Sequence, residues 1–385
     1  LTNRLVNAGG VVLDLSFQEL QGEPEGGVAE TARLVAERLH RLAPVDALLA
    51  VGPPWWLGIA ARIRAAALDP DPPRWLVCPE ADPVARDGRD DAHILADLDA
   101  LARAEADWIG RPGALLADVR TARDLTAWLE SLSHAARHRR RCADARRVSV
   151  GVVLVHHDRP RWLGAALDSL RAQTRPPDQV VVVDAASSCP RARAALDALA
   201  AREDAFPMRV LWRAESSLGA ARGVGVDALD MDWVLFMDDD NIAPPGAVED
   251  FARAAATESA DIWTCWAALF AGEAPPSGGS GADGWYRPLG PVPGLLARGN
   301  NLGDANMLVR RAAFRALGGF DPDPTVGAED WDFLVRAWLA GVRQGVIPRP
   351  LVWKRLSPDS MSRTMDHDRA RTRVVGRLRA GGLPV

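Results

Sequence analysis

The chain has 385 residues, 48% hydrophobic and 25% charged, with a formal net charge of −5. That is the composition of a soluble globular protein long enough for two domains, and it excludes a nucleic-acid binder built on an overall basic surface. No apolar stretch is long enough to span a bilayer. The four cysteines, Cys78, Cys142, Cys189 and Cys265, lack the spacing of a zinc site or disulfide framework.

Reduced thiols and the absence of a span predict a cytoplasmic protein. The start, Leu1-Thr2-Asn3-Arg4, has neither an initiator Met nor a signal-peptide pattern, as expected of a fragment of a longer chain. In the first part, strand-like runs at Gly10–Leu15, Val45–Val51 and Arg74–Cys78 alternate with helical spacing at Val28–Leu42 and Gly58–Leu68. Ala106–Gly110 reads as a fourth strand leading into a helix from Ala114. Such alternation predicts a parallel sheet covered on both faces, an α/β Rossmann-like accessory domain over residues 1–136. Gly52-Pro53-Pro54-Trp55-Trp56-Leu57-Gly58 lies where open α/β sheets bind ligands, but it is not a phosphate-binding glycine loop.

Residues 137–147, opening on Arg137-His138-Arg139-Arg140-Arg141, form a basic linker. It reads either as a solvated joint or as a patch that makes peripheral contact with anionic lipid headgroups. A second domain is expected over residues 148–385. Its opening run, Val148–Val155, suits a central parallel strand and ends in His156-His157-Asp158-Arg159-Pro160. A helix over Arg161–Gln173 follows, then a strand at Gln179–Val183 ending in Asp184-Ala185-Ala186-Ser187-Ser188. Pro190–Ala201 is helical and Met208–Trp212 is a strand. Ser216-Ser217-Leu218-Gly219-Ala220-Ala221-Arg222 opens another helix.

The next strand, Trp233–Met237, delivers Asp238-Asp239-Asp240 at its carboxyl end. Like charges that close repel unless a cation sits among them or some stay protonated, and an oxygen-only set suits Mg²⁺ or Mn²⁺. The competing reading of the run alone is a solvated acidic turn.

The surrounding motifs, in order, resemble those of family 2 glycosyltransferases. Val152–Pro160 is similar to the family's opening strand and Val180–Ser187 to its second strand. Gly219-Ala220-Ala221-Arg222 is similar to its nucleotide-contacting helix start, and Phe236–Asn241 to its DxD segment. Asn306–Arg311 with Gly318-Gly319-Phe320-Asp321, then Gly327–Phe333, resemble its late motifs. The resemblance implies a GT-A fold for the second domain. The first domain faintly resembles one half of a two-domain GT-B glycosyltransferase.

What the resemblance implies is an inverting transfer from a UDP-, dTDP- or GDP-linked sugar to a glycan or lipid-linked saccharide. Asp330 would be the general base and Glu329 would orient it or the acceptor. Asp240 would bind Mn²⁺ or Mg²⁺ with help from Asp238, and Asp239 would be the least essential of the three. His156, His157, Asp184, Arg222, Asp238 and Asp239 would contact the nucleotide-sugar; Asp184 could instead cap the following helix. Asp304 and Trp331 would meet the acceptor, while Trp263, Trp266 and Trp285 are as readily core. The late histidine that many relatives place on the metal is missing around Val352-Trp353-Lys354-Arg355. Lys354 or Arg355, or His367 from the tail, would serve near the diphosphate instead. Gly272–Gly294, rich in Gly, Pro and Ser, reads as a lid or acceptor loop. Two other functions stay open: a catalytically degenerate binding or scaffold protein, and a nucleotidyltransferase. The latter lacks the Gly-rich basic loop it would need after the first strand.

Overall fold

The computed structural model describes residues 148–214, 217–256, 260–276, 282–291, 296–297, 299–323, 327–357 and 367–382, and, before these, three short strands. The chain divides into two units, Leu1–Ala143 and Asp144–Val385. In the first, β1 (Ala47–Val51), β2 (Arg74–Cys78) and β3 (Trp108–Ile109) pair in parallel in the order β1-β2-β3. The strand expected at Gly10–Leu15, the intervening helices, the Trp55-Trp56 turn and the basic segment 137–147 lie outside the described residues.

The second unit is built on an eight-stranded mixed sheet. β4 (Val150–His156), β5 (Gln179–Ala185), β6 (Met208–Arg213) and β7 (Trp233–Asp238) are mutually parallel, with β4 between β5 and β7. The seven residues of β4 are all buried, as a Val-rich strand covered on both faces requires. The crossovers carry α1 (Pro160–Arg171), α2 (Pro190–Ala200) and α3 (Leu218–Asp227). Proline opens both α1 and α2, where its missing N–H costs nothing. Ser217 caps α3 by accepting the Ala220 N–H.

Beyond β7 the sheet grows by α4 (Ala247–Ala256), β8 (Ile262–Phe270), β9 (Gly284–Tyr286), β10 (Leu308–Arg310) and β11 (Gln344–Arg355). β10 is antiparallel to both β7 and β8, and β11 runs parallel to β8, giving the order β11-β8-β10-β7-β4-β5-β6. α5 (Arg311–Ala316), α6 (Glu329–Leu339) and α7 (His367–Ala380) complete the unit. One correction concerns Gly272–Gly294: Gly284–Tyr286 is a strand paired antiparallel to β8, not loop.

Four phenylalanines from separate motifs meet behind the sheet's carboxyl edge. Phe236 precedes the aspartates, Phe314 sits on α5, Phe320 belongs to the Gly318-Gly319 turn and Phe333 lies on α6. Their ring centroids are 4.9–5.4 Å apart. Each such pair contributes about 0.5–1.5 kcal/mol beyond area burial. The cluster therefore fixes three site-bearing segments against one another.

α3 approaches the Phe320-Asp321 turn so closely that a Cβ on Gly219 would overlap the Asp321 carbonyl oxygen. Gly219→Ala is expected to lower stability by about 1–3 kcal/mol, because backbone rather than a mobile side chain must move. Urea denaturation of the two chains measures this; equal midpoints would show that the contact is slack.

Candidate active site

The carboxyl ends of β4, β5 and β7, the head of α6 and the end of β11 surround a cleft of about 1040 Å³. Side chains alternate along a strand, so each terminus splits its motif between the cleft and the layer beneath. From β4, Val155 and His157 line the cleft while His156 is fully buried; from β7, Asp238 and Asp240 line it while Asp239 is fully buried. The two buried residues meet: His156 Nδ1 is 2.6 Å from Asp239 Oδ2. His156 and Asp239, expected to contact the nucleotide-sugar, brace the floor and do not line the cleft in this structure. Asp239, expected to be the least essential of the three, is the one that both His156 and Arg159 contact.

Asp184 departs in the same way. It is 3% exposed and accepts the Ser187 N–H, at 3.1 and 3.3 Å from its two oxygens, so it shapes the turn after β5; Ala185 is the residue on the cleft wall. His157 Nδ1 donates to the Ala185 carbonyl oxygen at the end of β5 at 2.7 Å, which requires the Nδ1–H tautomer. Asp158 ties the β4 and β5 turns together. It takes the left-handed conformation (φ 52°), and its carboxylate accepts from Cys189 N (2.7 Å) and Ser188 Oγ (2.8 Å).

Arg222, 2% exposed, joins two motifs distant in sequence. Its Nη2 donates to Asp238 Oδ1 at 2.8 Å and its Nη1 to Glu329 Oε1 at 2.5 Å, while its guanidinium lies 5.1 Å from the Phe320 ring. Asp238 is drawn below the ordinary carboxylate range: burial alone would raise it, and Arg222 and Lys354 outweigh that. Glu329, expected to orient the acceptor or base, spends a carboxylate oxygen on Arg222.

Gly327 (φ 63°) and Ala328 (φ 49°) turn the chain through two left-handed residues into α6, presenting Glu329 and Asp330 in its first turn. Acids are favoured there by the helix dipole. Asp330 nevertheless stays hard to ionise. Burial, then the charges of Glu329 and Asp304, push it up to about 7 against the opposing pull of Lys354. Asp240 is raised to about 6, chiefly by burial and then by Asp238 and Asp239, with Arg159 opposing.

Lys354 is the only lysine in a chain that otherwise uses arginine. Its Nζ donates to Asp304 Oδ2 at 2.8 Å on the cleft wall, and that carboxylate holds its proton affinity high. Asp304 also receives the Asn306 backbone N–H at 2.9 Å, so it is committed to Lys354 and the loop. Arg355 turns away from the carboxylates: its guanidinium lies 3.8 Å from the Trp162 ring and its Nε donates to the Asp240 carbonyl at 3.0 Å. His367 lines the cleft; Trp331 reaches it too but is only 7% exposed and packs in the core, as Trp263 and Trp266 do. Sequence reasoning passed over Arg159, which reaches both Asp239 and Asp240, although Arg-Pro at a helix start after an apolar strand was visible. It also passed over Asp332. That buried carboxylate on α6 accepts from Arg336 (2.9 Å) and from Arg373 and Arg377 of α7, fastening the helix that carries Asp330.

Among the described residues no helix is long and apolar enough to cross a membrane. The family model described as Glycosyl transferase family 2 matches residues 151–292, and that described as Glycosyl transferase family group 2 matches residues 304–374. No curated protein matches the chain. Solved structures similar to it include residues 1–349 of S. aureus TarS in complex with UDP-GlcNAc. That pair is 17% identical with a TM-score of 0.47, covering 62% of this chain and 68% of that one. Another is a mannosyltransferase from Pyrobaculum calidifontis in complex with GDP-Man and Mn²⁺: 16% identical, TM-score 0.44, covering 57% and 60%. The matched segments, residues 151–292 and 304–374, carry the motifs that wall the cleft, and these family models support a glycosyltransferase of family 2 built on a mixed α/β sheet.

Proposed function

We propose that residues 148–385 form the catalytic domain of a metal-dependent, inverting glycosyltransferase, with residues 1–136 an accessory domain and 137–147 the joint. The donor is a nucleoside-diphosphate sugar and the acceptor a glycan or lipid-linked saccharide. The observation that carries the reading is the state of Asp330, a carboxyl held at about 7 in the cleft that Asp238 and Asp240 also line. A general base works best when its pKa lies near the operating pH.

In this reading Asp330 takes the proton from the acceptor hydroxyl as that oxygen attacks the anomeric carbon. The nucleoside diphosphate leaves from the opposite face, so the configuration inverts. Arg222 and Glu329 lock the Asp238 segment to the head of α6, keeping base and donor site in register, and a misplacement of about 1 Å can cost a hundredfold in rate. His157 and the β5 turn offer polar groups to the nucleotide; Trp331 offers its face to the acceptor.

The donor set fits Mn²⁺ or Mg²⁺. Asp240, crowded by Asp238 and Asp239 and raised to about 6, is a carboxylate that a cation would relieve. Among the described residues no group of three His, Cys, Asp or Glu side chains forms a ready-made cage. Such ions are commonly held by one or two carboxylates plus substrate phosphates. Asp240 and Asp238 would hold the ion, which when bound supplies charge to neutralise the departing diphosphate.

The deciding experiment offers the native chain and Asp240→Ala a panel of nucleotide-sugars with Mn²⁺. Release of nucleoside diphosphate by the native chain and its loss in Asp240→Ala is the expected result; no turnover of any donor removes the reading. A second expectation concerns pH. With Glu329, Asp304 and Lys354 facing Asp330, kcat/KM of the native chain should rise with pH through an apparent pKa near 7 and level off above it. A profile flat from pH 5.5 to 8.5 would remove Asp330 as the base.

A further inference from the structure

Arg159 stands at the start of α1 and spans two of the three aspartates with its planar fork. Nη1 lies 2.6 Å from Asp240 Oδ2 and Nη2 2.7 Å from Asp239 Oδ1. The two carboxylates differ in freedom. Asp239 is fully buried and held from below by His156 at 2.6 Å, whereas Asp240 opens on the cleft. The Arg159 side chain is 43% exposed and lines the same cleft, and as the residue preceding α1 it makes no capping hydrogen bond that would tie it down. One end of the fork is therefore held by an ion pair to a fixed carboxylate, and the other hydrogen-bonds to one of the two oxygens with which Asp240 could hold a cation.

We propose that Arg159 guards the cation site: without donor it neutralises Asp240, and when a nucleoside diphosphate arrives it turns its free edge to that group, keeping Asp239 as its pivot. A guanidinium suits both partners, because its parallel N–H groups match a carboxylate and a phosphate equally well. The consequence is conditional binding. The cation competes with Arg159 for Asp240 in the empty cleft, and the donor removes the competitor. By linkage, donor and cation then strengthen each other's binding by the same factor, in the usual range of about 5–150-fold. The proposal rests on the cleft holding a nucleoside diphosphate and a divalent ion as set out above.

The test is Mn²⁺ binding to the full chain, followed by the electron paramagnetic resonance of free Mn²⁺, with and without UDP or GDP. Native protein should bind Mn²⁺ weakly alone and at least about tenfold more tightly with one of the nucleotides. Arg159→Gln should bind Mn²⁺ about tenfold more tightly than native protein without nucleotide, and should lose most of the nucleotide's enhancement. Arg159→Lys, which keeps the charge but not the fork, should fall between them and guards against a folding defect in the first variant. Equal Mn²⁺ affinity in native and Arg159→Gln overturns the proposal, and so does weaker binding in the variant, which would make Arg159 a builder of the site. If neither chain binds Mn²⁺ even with nucleotide, the cation reading falls and the guard with it. Turnover of a nucleotide-sugar by native protein in chelator would show that glycosyl transfer itself survives that result.

Discussion

Asp330→Asn is expected to lower kcat by about a thousandfold while leaving the dissociation constant of the nucleotide-sugar within a few-fold of native, the loss typical of removing a general base. Asn keeps the shape and the acceptor oxygen that receives the Trp331 N–H at 2.6 Å, so the head of α6 should hold. The same substitution should stabilise the empty protein in a pH-dependent way. Folding raises the Asp330 carboxyl from its ordinary value of 3.8 to about 7, chiefly through burial. Its neutral form is the one the folded cleft tolerates, so its favourable contribution is complete below pH 3.8 and is lost as pH rises through 7. Asn has no proton to lose. The unfolding free energy of Asp330→Asn should therefore match native near pH 4 and exceed it at pH 8 by a margin on the order of a few kcal/mol, reduced by the coupling to Glu329, with a melting temperature that rises accordingly. Unchanged kcat would dismiss Asp330 as the base; a melting difference that does not grow with pH would dismiss its desolvation as the cause.

The parallel half of the sheet was legible because its strands are continuous apolar runs ended by polar turns. From Val150 to Asp238 each strand and helix lies within a few residues of its expected place. The far half was not. β11 contains Pro348 and Pro350, residues that argue against a strand, and it accommodates them by register shifts between Ile347, Pro350 and Val352. α7 carries its buried stripe on only Ala370, Val374 and Leu378 among many arginines, too sparse a pattern to stand out. The site was readable by residue type but not by facing. Motif order brought Asp238, Asp240, Glu329 and Asp330 to one cleft, as expected, but which member of His156-His157 or Asp238-Asp239-Asp240 turns inward depends on strand phase at the last residue. A slip of one residue reverses it.

Arg222→Met should lower stability by about 3–5 kcal/mol, the cost of stranding buried charge when one partner of an ion pair is removed. The guanidinium is 2% exposed and bridges Asp238 and Glu329, which come from β7 and α6. Methionine fills the volume and keeps contact with Phe320, so the deficit reports the two carboxylates and not a cavity. That origin can be tested by removing charge from the other side. Arg222→Met with Glu329→Gln should recover part of the loss, since one of the two uncompensated carboxylates is gone, and a double-mutant cycle in urea measures the coupling. Arg222→Lys should remain well below native, because an ammonium on a single stem cannot serve both carboxylates in the geometry of the fork. Activity should fall with stability in Arg222→Met but remain impaired in the partly rescued double variant, whose α6 head is no longer tied to the strand bearing Asp238. Recovery of full kcat with recovered stability would mean that Arg222 only holds the fold and does not keep the base in register with the donor site.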